Sequence, residues 1–336
     1  MKAMKNSSTS LAAVQAAAQR RPHLPTLTAY RLFNGFYEGF PGLVLDRYGP
    51  ALVILDHTPS GLPKGWAEAI AAWGSVNLPG VTAVLLKQRA NPDTTWKNGR
   101  LLLGSQLPVE IREGSVRYAL DLQMNQDAGL YLDTRPLREW LCQHAAGKKV
   151  LNTFAYTGSL GVAAGAGGAS SVIQTDMNRN FLEIASKSWE LNNLNPKHCE
   201  ILPGDFFRIA GRLRNAERLF DIAVLDPPYF SATEAGKVEL EQGSTRLINK
   251  IRPLVAHQGW LVVINNALFL SGTDFMAELD ALCQSDYLSL ETLIPVPEDI
   301  TGYPETIVSY PPVDPAPFNH PTKIAILRVT RKDRRQ

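Results

Sequence analysis

From Lys148 to Val329 the chain alternates short apolar runs with longer stretches of helical spacing, and this alternation restricts the available folds more than any other feature. Val150-Leu151, Ser171-Val172-Ile173, Ile222–Leu225 and Leu261–Ile264 have strand length. Between them, Gly158–Ala169 is rich in small residues. Asn180 followed by Glu183 carries a capping-box signature for a helix reaching about Asn193. Val238–Ala256 has helical spacing through Leu240, Leu247, Ile251 and Leu254, and Asp274–Cys283 predicts a further helix. Leu288–Ile294 and Ile324–Val329 predict two closing strands. Strands alternating with helices predict an α/β domain on a largely parallel sheet.

The N-terminal part reads differently. Tyr30 to about Leu103 is a succession of short strands and turns, which predicts a small α+β module over residues 23–105. Leu43-Val44-Leu45 and Leu52–Leu55 are strand runs separated by Asp46-Arg47-Tyr48-Gly49-Pro50, which has hairpin turn chemistry. Trp66–Trp73 predicts a short helix and Val81–Leu86 a strand, with turns at Asn91-Pro92-Asp93 and Asn98-Gly99. Leu107–Tyr118 predicts a strand pair leading into a catalytic domain over 106–336, with the boundary near 105. Residues 1–22 hold no acidic residue and are rich in Ala and Ser, which predicts a mobile tail; a short surface helix or a transit peptide would share that composition.

Composition narrows the function classes. At 336 residues, 45 % hydrophobic and 20 % charged, the chain is a folded protein of about two domains rather than a disordered one. No apolar run reaches the roughly 18 residues of a spanning helix, so a membrane partner is not expected. Three scattered cysteines, Cys142, Cys199 and Cys283, form neither a disulfide framework nor a metal cluster, which fits a reducing, cytoplasmic setting and no bound metal. Residues 1–117 hold thirteen Lys and Arg against seven Asp and Glu, and the remainder twenty-one against twenty-five. A basic N-terminal third hints at a polyanionic partner; ordinary surface scatter explains it equally well.

In an open α/β sheet, ligands bind at the carboxyl ends of the strands, so the residues after each strand are the candidates. Asn152 to Ser159, with glycines at 158, 161 and 165, follows the first strand. These glycines lack the dinucleotide spacing, which disfavours a nicotinamide or flavin enzyme. They permit close backbone approach to a ligand, or simply a packed helix–sheet turn. Asp176 follows the second strand, where an acid can accept from both ribose hydroxyls or answer a helix dipole. Asp205 and Phe206 offer an acceptor for an adenine amine and a packing ring, or a turn acid. Asp226-Pro227-Pro228-Tyr229 directly after Ile222–Leu225 is the most specific signal. The prolines hold the backbone extended, and the carboxylate with nearby carbonyls makes an acceptor cluster suited to an amino group. Tyr229 can stack on a flat ring. Asn265 and Asn266 follow the fourth strand and can read a base edge or form a turn.

Together these residues resemble a class I S-adenosylmethionine-dependent methyltransferase, and more narrowly the bacterial large-subunit ribosomal RNA methyltransferases. Tyr30-Arg31-Leu32 and Gly39 to Tyr48 are similar to that family's N-terminal module. Gly129 to Arg135, Leu151 to Ser159, Asp176 to Arg179, and Leu225 to Ser231 follow in the family's order. The resemblance implies a Rossmann-like sheet with helices on both faces, and S-adenosylmethionine as cofactor. It implies that Phe154, Tyr156, Thr157 and Gly158 wall the methionine end. Asp176 with Met177 would hold the ribose, Asp205 with Phe206 the adenine, and Asp133 and Arg135 would close the pocket. Asp226 to Tyr229 would orient the target atom, with Phe230, Asn265 and Asn266 at the substrate. On the charge reading, Lys87, Arg89, Lys97 and Arg100 of the basic module are candidates to grip phosphates of large-subunit ribosomal RNA; Arg331 to Arg335 would add to this or form a solvated charged end.

Two departures from the family pattern matter. Carbon-5 methylation of cytosine needs a cysteine nucleophile, and Asn265-Asn266 stands where that family branch places one. The Asn pair resembles the branch that methylates guanine at ring nitrogen 7, whereas Tyr229 moves the motif towards enzymes that methylate exocyclic amines. Guanine in ribosomal RNA is therefore the expected target, with either nitrogen open and the enzyme a monomer or homodimer. The second departure is the proline-rich stretch Pro295–Lys323, long for a core connection. Rivals are a methyltransferase acting on a protein side-chain amide or a small molecule, a dinucleotide oxidoreductase, and an RNA-binding protein with an inactive cofactor site.

Overall fold

The computed structural model describes residues 2–21, 27–233, 236–240 and 244–333. The chain divides into two compact units. One comprises residues 1–133 with 297–310, and the other 134–296 with 311–336.

In the first unit, α1 (Lys2–Arg20), β1 (Ala29–Asn34), α2 (Gly35–Glu38), β2 (Leu43–Tyr48) and β3 (Ala51–Asp56) are followed by α3 (Trp66–Asn77), β4 (Ala83–Gln88), α4 (Thr94–Asn98) and β5 (Arg100–Leu103). Strands β1 to β5 form one sheet in sequence order, with β3 and β4 parallel and the other pairs antiparallel. Tyr48 pairs with Ala51, so the hairpin turn is only Gly49-Pro50 and Asp46-Arg47-Tyr48 lies inside β2. Those polar residues are buried because each has a partner. Asp46 accepts from Arg31 at 2.8 Å, Arg47 donates to the Pro79 carbonyl at 2.6 Å, and the Tyr48 hydroxyl donates to the Leu130 carbonyl at 2.9 Å.

The boundary expected near 105 lies at 133/134. The hairpin of β6 (Glu110–Glu113) and β7 (Val116–Ala119) stays with the first unit because the Thr28 amide donates to the Arg112 carbonyl and Leu27 bridges Glu113. In place of a tail over 1–22, Lys2–Arg20 is helical, with Met1 and Pro22 outside the described residues. Alanine favours the helix, and Val14 and Ala17, three apart on one face, are fully buried in this unit's core. At its end Arg21 makes a bidentate pair with Glu38, both buried, at 2.7 and 2.8 Å.

The second unit begins with α5 (Arg135–His144), β8 (Lys149–Thr153), α6 (Ser159–Ala166), β9 (Ser171–Thr175), α7 (Arg179–Leu191), β10 (Cys199–Ile201), α8 (Phe206–Asn215) and β11 (Phe220–Leu225). It continues through the hairpin β12 (Phe230–Thr233) and β13 (Gly236–Glu239), then α9 (Thr245–Ile251), β14 (Val255–Asn265), α10 (Gly272–Cys283) and β15 (Leu288–Ile294). The chain then returns to the first unit with α11 (Glu298–Thr301) before completing the second with β16 (Lys323–Val329). The helix expected over Val238–Ala256 is thus a strand, a shorter helix and the start of β14. The cap of α7 is Asn178 rather than Asn180: its side chain accepts from the Asn180 amide at 3.0 Å.

The sheet of this unit runs β10-β9-β8-β11-β14-β16-β15. The first five strands are parallel, while β16 runs antiparallel between β14 and β15. Central strands buried on both faces explain the unbroken apolar runs in the sequence. Leu151, Ala223, Leu225, Leu261 and Val263 pack in one cluster with Ile209 of α8, Ile248 of α9 and Phe275 of α10. The opposite face carries Asn152 and Gln174 beneath α6. The α/β class with a parallel-strand sheet is as expected.

Candidate active site

Strand order in the second unit reverses at β8: β9 and β10 lie to one side, β11 and β14 to the other. Such a reversal opens a crevice at the carboxyl ends of the flanking strands. The loops leaving β8, β9, β10, β11 and β14 carry most of the residues singled out above.

The loop after β8 is held in a conformation that L-residues avoid. Phe154 and Tyr156 have φ of 53° and 50°. Each such residue costs roughly 1–3 kcal/mol and persists only where neighbours impose it. Here the Ala155 amide donates to the Thr175 carbonyl at 2.9 Å and the Tyr156 amide to Asp176 Oδ2 at 3.0 Å. Gly158 then caps α6 with φ 76°. A Cβ there would lie 2.3 Å from Ala185 Cβ and 2.6 Å from Gln174 Oε1, so only glycine fits. Gly161 is as tightly packed: a Cβ there would lie 2.4 Å from Gln174 Oε1. Thr157, between the strained loop and this glycine, is buried.

Asp176 leaves β9 and accepts through both oxygens, from Tyr156 and, at 2.9 Å, from the Asn178 amide. A carboxylate has about four acceptor positions, so two hydroxyls can still be received. Met177 beside it is 60 % exposed. Asp205 caps α8, accepting from the Phe207 and Arg208 amides at 2.9 and 3.1 Å. Phe206 is buried and stacks on Phe154 with ring centroids 4.7 Å apart. The loops after β8, β9 and β10 are therefore tied together by a carboxylate and an aromatic stack. These residues fit a small nucleoside-like cofactor: close backbone at glycine, a carboxylate after β9 and an aromatic wall.

After β11, Asp226 is half-buried and Pro227 buried, while Pro228, Tyr229 and Phe230 are exposed. The Tyr229 carbonyl accepts from the Leu240 amide at 3.1 Å, anchoring the segment to the β12–β13 hairpin. Lys237 Nζ lies 5.4 Å from the Phe230 ring centre. After β14, Asn266 is exposed, but Asn265 is fully buried. Its side chain donates to Ser244 Oγ at 3.2 Å and accepts from the Ala267 amide at 2.9 Å, so it supports the loop rather than facing outward.

Asp133 ends the first unit, whereas Arg135 opens α5 of the second. Lys87 and Arg89 are in the first unit and bonded within it. Lys87 is fully buried, donating to the carbonyls of Asn98 and Asn125 at 2.8 and 2.7 Å. Burial pushes its ammonium down to about 8. Arg89 pairs with Asp127 at 2.5 Å. Of the four basic candidates, Arg100 is exposed, over the Trp96 ring, and Lys97 half-buried. Arg331 is bonded to Asp333 and to the carbonyls of Pro253 and Val255; Arg334 and Arg335 lie outside the described residues.

Two polar residues escaped the sequence reading. Gln174, within the apolar run of β9, sits under Gly158 and Gly161. Lys323, beginning the apolar strand β16, is fully buried and donates to the carbonyls of Ala267 and Pro321 at 3.0 and 2.6 Å. Burial lowers its ammonium to about 8. The only signal for either was a polar residue interrupting a buried strand.

Among the described residues, no helix is long and apolar enough to cross a membrane. Comparison with known proteins agrees with the geometry. The model of the S-adenosylmethionine-dependent methyltransferase family matches residues 68–307. Ribosomal RNA large subunit methyltransferase I of Shewanella frigidimarina (strain NCIMB 400) is 33 % identical over 212 residues, 61 % of this chain and 52 % of the relative. The chain spans about half the length of the curated relatives of that name. A Bacillus subtilis (strain 168) protein provisionally named ribosomal RNA large subunit methyltransferase YwbD is 29 % identical over 305 residues, 86 % of this chain and 76 % of its own. A solved protein provisionally described as a methyltransferase, in complex with SAH, superposes with a TM-score of 0.80 at 23 % identity, covering 96 % of this chain and 82 % of that one. The SAM-dependent methyltransferase of Agrobacterium tumefaciens gives 0.63 at 17 % identity, covering 92 % of each chain, a likeness of fold. With a matching model over most of its length and a strained, glycine-capped loop at the sheet's reversal point, the chain belongs to the S-adenosylmethionine-dependent methyltransferase family and takes S-adenosylmethionine as cofactor.

Proposed function

We propose that this chain methylates a base nitrogen of large-subunit ribosomal RNA, with guanine as the base and ring nitrogen 7 or the exocyclic amine as the atom. The observation that carries the reading is Asp226-Pro227-Pro228-Tyr229 leaving β11 at the sheet's reversal, with its carboxylate half-buried and its aromatic ring exposed. The RNA is supported by the names of the curated relatives. A nitrogen rather than a carbon is supported by the cysteines: Cys142 lies in α5, Cys199 begins β10 and Cys283 ends α10, none of them at the carboxyl end of β11 or β14.

When bound, S-adenosylmethionine supplies a sulfonium methyl group, so the nitrogen–carbon bond forms as the sulfur–carbon bond breaks. The task of the protein is alignment. The loop Phe154 to Gly158 walls the methionine end, Asp176 receives the ribose hydroxyls, and Asp205 receives the adenine amine. Asp226 and the Pro227 carbonyl would accept N–H groups of the target and so orient its nitrogen for methyl transfer. For an exocyclic amine, one proton must leave, and Asp226 is the acceptor that takes it. Tyr229 stacks on the base, which has to leave its helix if it is paired. Exposed Arg100 of the first unit contributes to phosphate contact.

The test is methyl transfer from labelled S-adenosylmethionine to total RNA from a strain lacking the protein, followed by mass spectrometry of nucleosides. Labelled guanosine supports the reading, and the position of the label separates the two nitrogens. Cofactor binding without any labelled nucleoside overturns it in favour of a protein amide or small molecule.

A further inference from the structure

The loop after β14 is gripped at a single residue from two sides. Asn265 Oδ1 accepts from the Ala267 amide at 2.9 Å, and Lys323 Nζ donates to the Ala267 carbonyl at 3.0 Å. Asn265 and Lys323 are direct partners across the antiparallel β14–β16 pair. Both side chains and Ala267 are fully buried. Asn265 is itself held by Ser244, and Lys323 by the Pro321 carbonyl. The Leu270 amide returns to the same Ala267 carbonyl, closing a tight turn.

The grip has a visible result. Immediately after Ala267, Leu268 and Phe269 are 42 % and 63 % exposed. Large apolar side chains at such exposure, fixed by a buried polar anchor, are not explained by packing of the fold. They leave the same sheet edge as Tyr229 and Phe230, which are 46 % and 53 % exposed, because β11 and β14 are parallel neighbours in register at Leu225 and Val263. Four exposed apolar side chains thus follow two adjacent strand ends, and Asp226 directly follows one of those strands. A flat, unpaired base has two apolar faces and polar edges, which is the chemistry that such walls beside Asp226 would receive. A buried ammonium is costly, and its retention beside the loop fits a positioning role.

We propose that Asn265 and Lys323 are positioning residues that clamp Ala267, so that Leu268 and Phe269 form a fixed apolar wall against the unpaired purine whose nitrogen is methylated. The inference rests on the RNA reading above. Lys323 touches neither base nor cofactor and acts through Phe269.

The experiment measures steady-state methylation of RNA by the full chain and three variants: Phe269→Ala, Lys323→Met and the double variant. Phe269 is on the surface, so its removal leaves the fold and the rise in melting temperature with S-adenosylmethionine unchanged. The expected result is a rise of about tenfold or more in KM for RNA, as loss of one base-stacking ring gives, with unchanged cofactor affinity. Lys323→Met should raise the same KM, and the double variant should be little worse than Phe269→Ala alone. A merely structural lysine would instead add its effect and lower cofactor affinity in parallel. Wild-type methylation of RNA with KM unmoved by Phe269→Ala, or with fully additive effects, overturns the inference while leaving the RNA reading intact. A wild type that labels no RNA removes both.

Discussion

The Asp176 carboxylate accepts the Tyr156 amide at 3.0 Å, tying the end of β9 to the strained loop that leaves β8. One side chain thus holds the backbone of the loop after β8 and, in the function proposed above, would also receive the ribose hydroxyls. Asp176→Ala removes both, and the half-buried Tyr156 amide and exposed Asn178 amide lose this acceptor, at about 0.5–1.5 kcal/mol each. The expected outcome is a lower melting temperature and at least tenfold weaker binding of S-adenosylmethionine by calorimetry. Unchanged affinity would show that the hydroxyl role belongs to another group.

Asp226 is expected to behave differently. It follows β11, whereas the residues proposed for the cofactor follow β8, β9 and β10, and its proposed partner is the target base. Asp226→Ala should lower kcat for methyl transfer by at least a hundredfold, as the loss of a positioned acid–base group does. Calorimetric affinity for the cofactor should remain within about threefold. A parallel collapse of cofactor binding would assign Asp226 to the cofactor instead.

Two glycines offer a paired test of close packing. Gly158→Ala forces a Cβ to within 2.3 Å of Ala185 at a φ of 76°. Destabilisation of more than about 1 kcal/mol and loss of cofactor affinity are expected. Gly211, inside α8, meets nothing within 4 Å. Gly211→Ala should raise stability by roughly 0.5–1 kcal/mol in urea melts, because alanine favours a helix interior. Equal responses at the two positions would contradict the packing described for Gly158.

Acid sensitivity should appear in the first unit through His57. Burial, with the nearby guanidinium groups of Arg89 and Arg31, pushes its imidazole down to about 4 despite an opposing effect from Asp127. The folded form thus binds the proton less readily than the unfolded chain, whose histidine titrates near 6.5. The stability contribution is present above that value and is lost as pH falls towards about 4. His57→Phe cannot take up the proton. Over this window wild type should lose on the order of 2 kcal/mol relative to the variant, followed by denaturant melts. Parallel stability curves would rule the effect out.

The buried Arg21–Glu38 pair should be intolerant of losing one member. Glu38 also accepts from the Asn34 amide at 2.7 Å and from the Thr306 hydroxyl at 2.5 Å. Arg21→Ala leaves a buried carboxylate without its cation, at roughly 3–5 kcal/mol. Arg21→Met with Glu38→Leu should recover part of that loss, the remainder reflecting the Asn34 amide and Thr306 hydroxyl left without their acceptor. Thermal melts in which the single and double variants coincide would show that the pair carries no such coupling.

The sequence made the second unit legible where apolar runs report burial directly. The strand cores at Val150, Val172, Ile222 and Leu261 all lie in the sheet, and the acids after two of these runs, Asp176 and Asp226, stand at its carboxyl edge. What it hid were polar groups satisfied by distant partners. Asp46 and Arg47 read as a turn because their partners, Arg31 and Pro79, are far along the chain. Lys87 read as a phosphate contact and Lys323 as nothing, since a buried lysine bonded to carbonyls has no local signature. The helix expected through Val238–Ala256 failed because Val238 and Leu240 serve the hairpin side of the core, not a helix face.

The late return of the chain to its first unit has a consequence for biosynthesis. Neither unit is a contiguous stretch: α11 reaches the first unit only after β15 is made, where Asp299 accepts from the Arg31 amide and Asn34 donates to the Ile300 carbonyl. The second unit waits still longer, because β16 has to enter between β14 and β15. Until the ribosome has delivered Lys323–Val329, both neighbours present open ladder edges, which are templates for wrong pairing. A nascent chain halted at residue 296 would therefore hold two unfinished units at once, so a premature stop there would leave both incomplete rather than removing one.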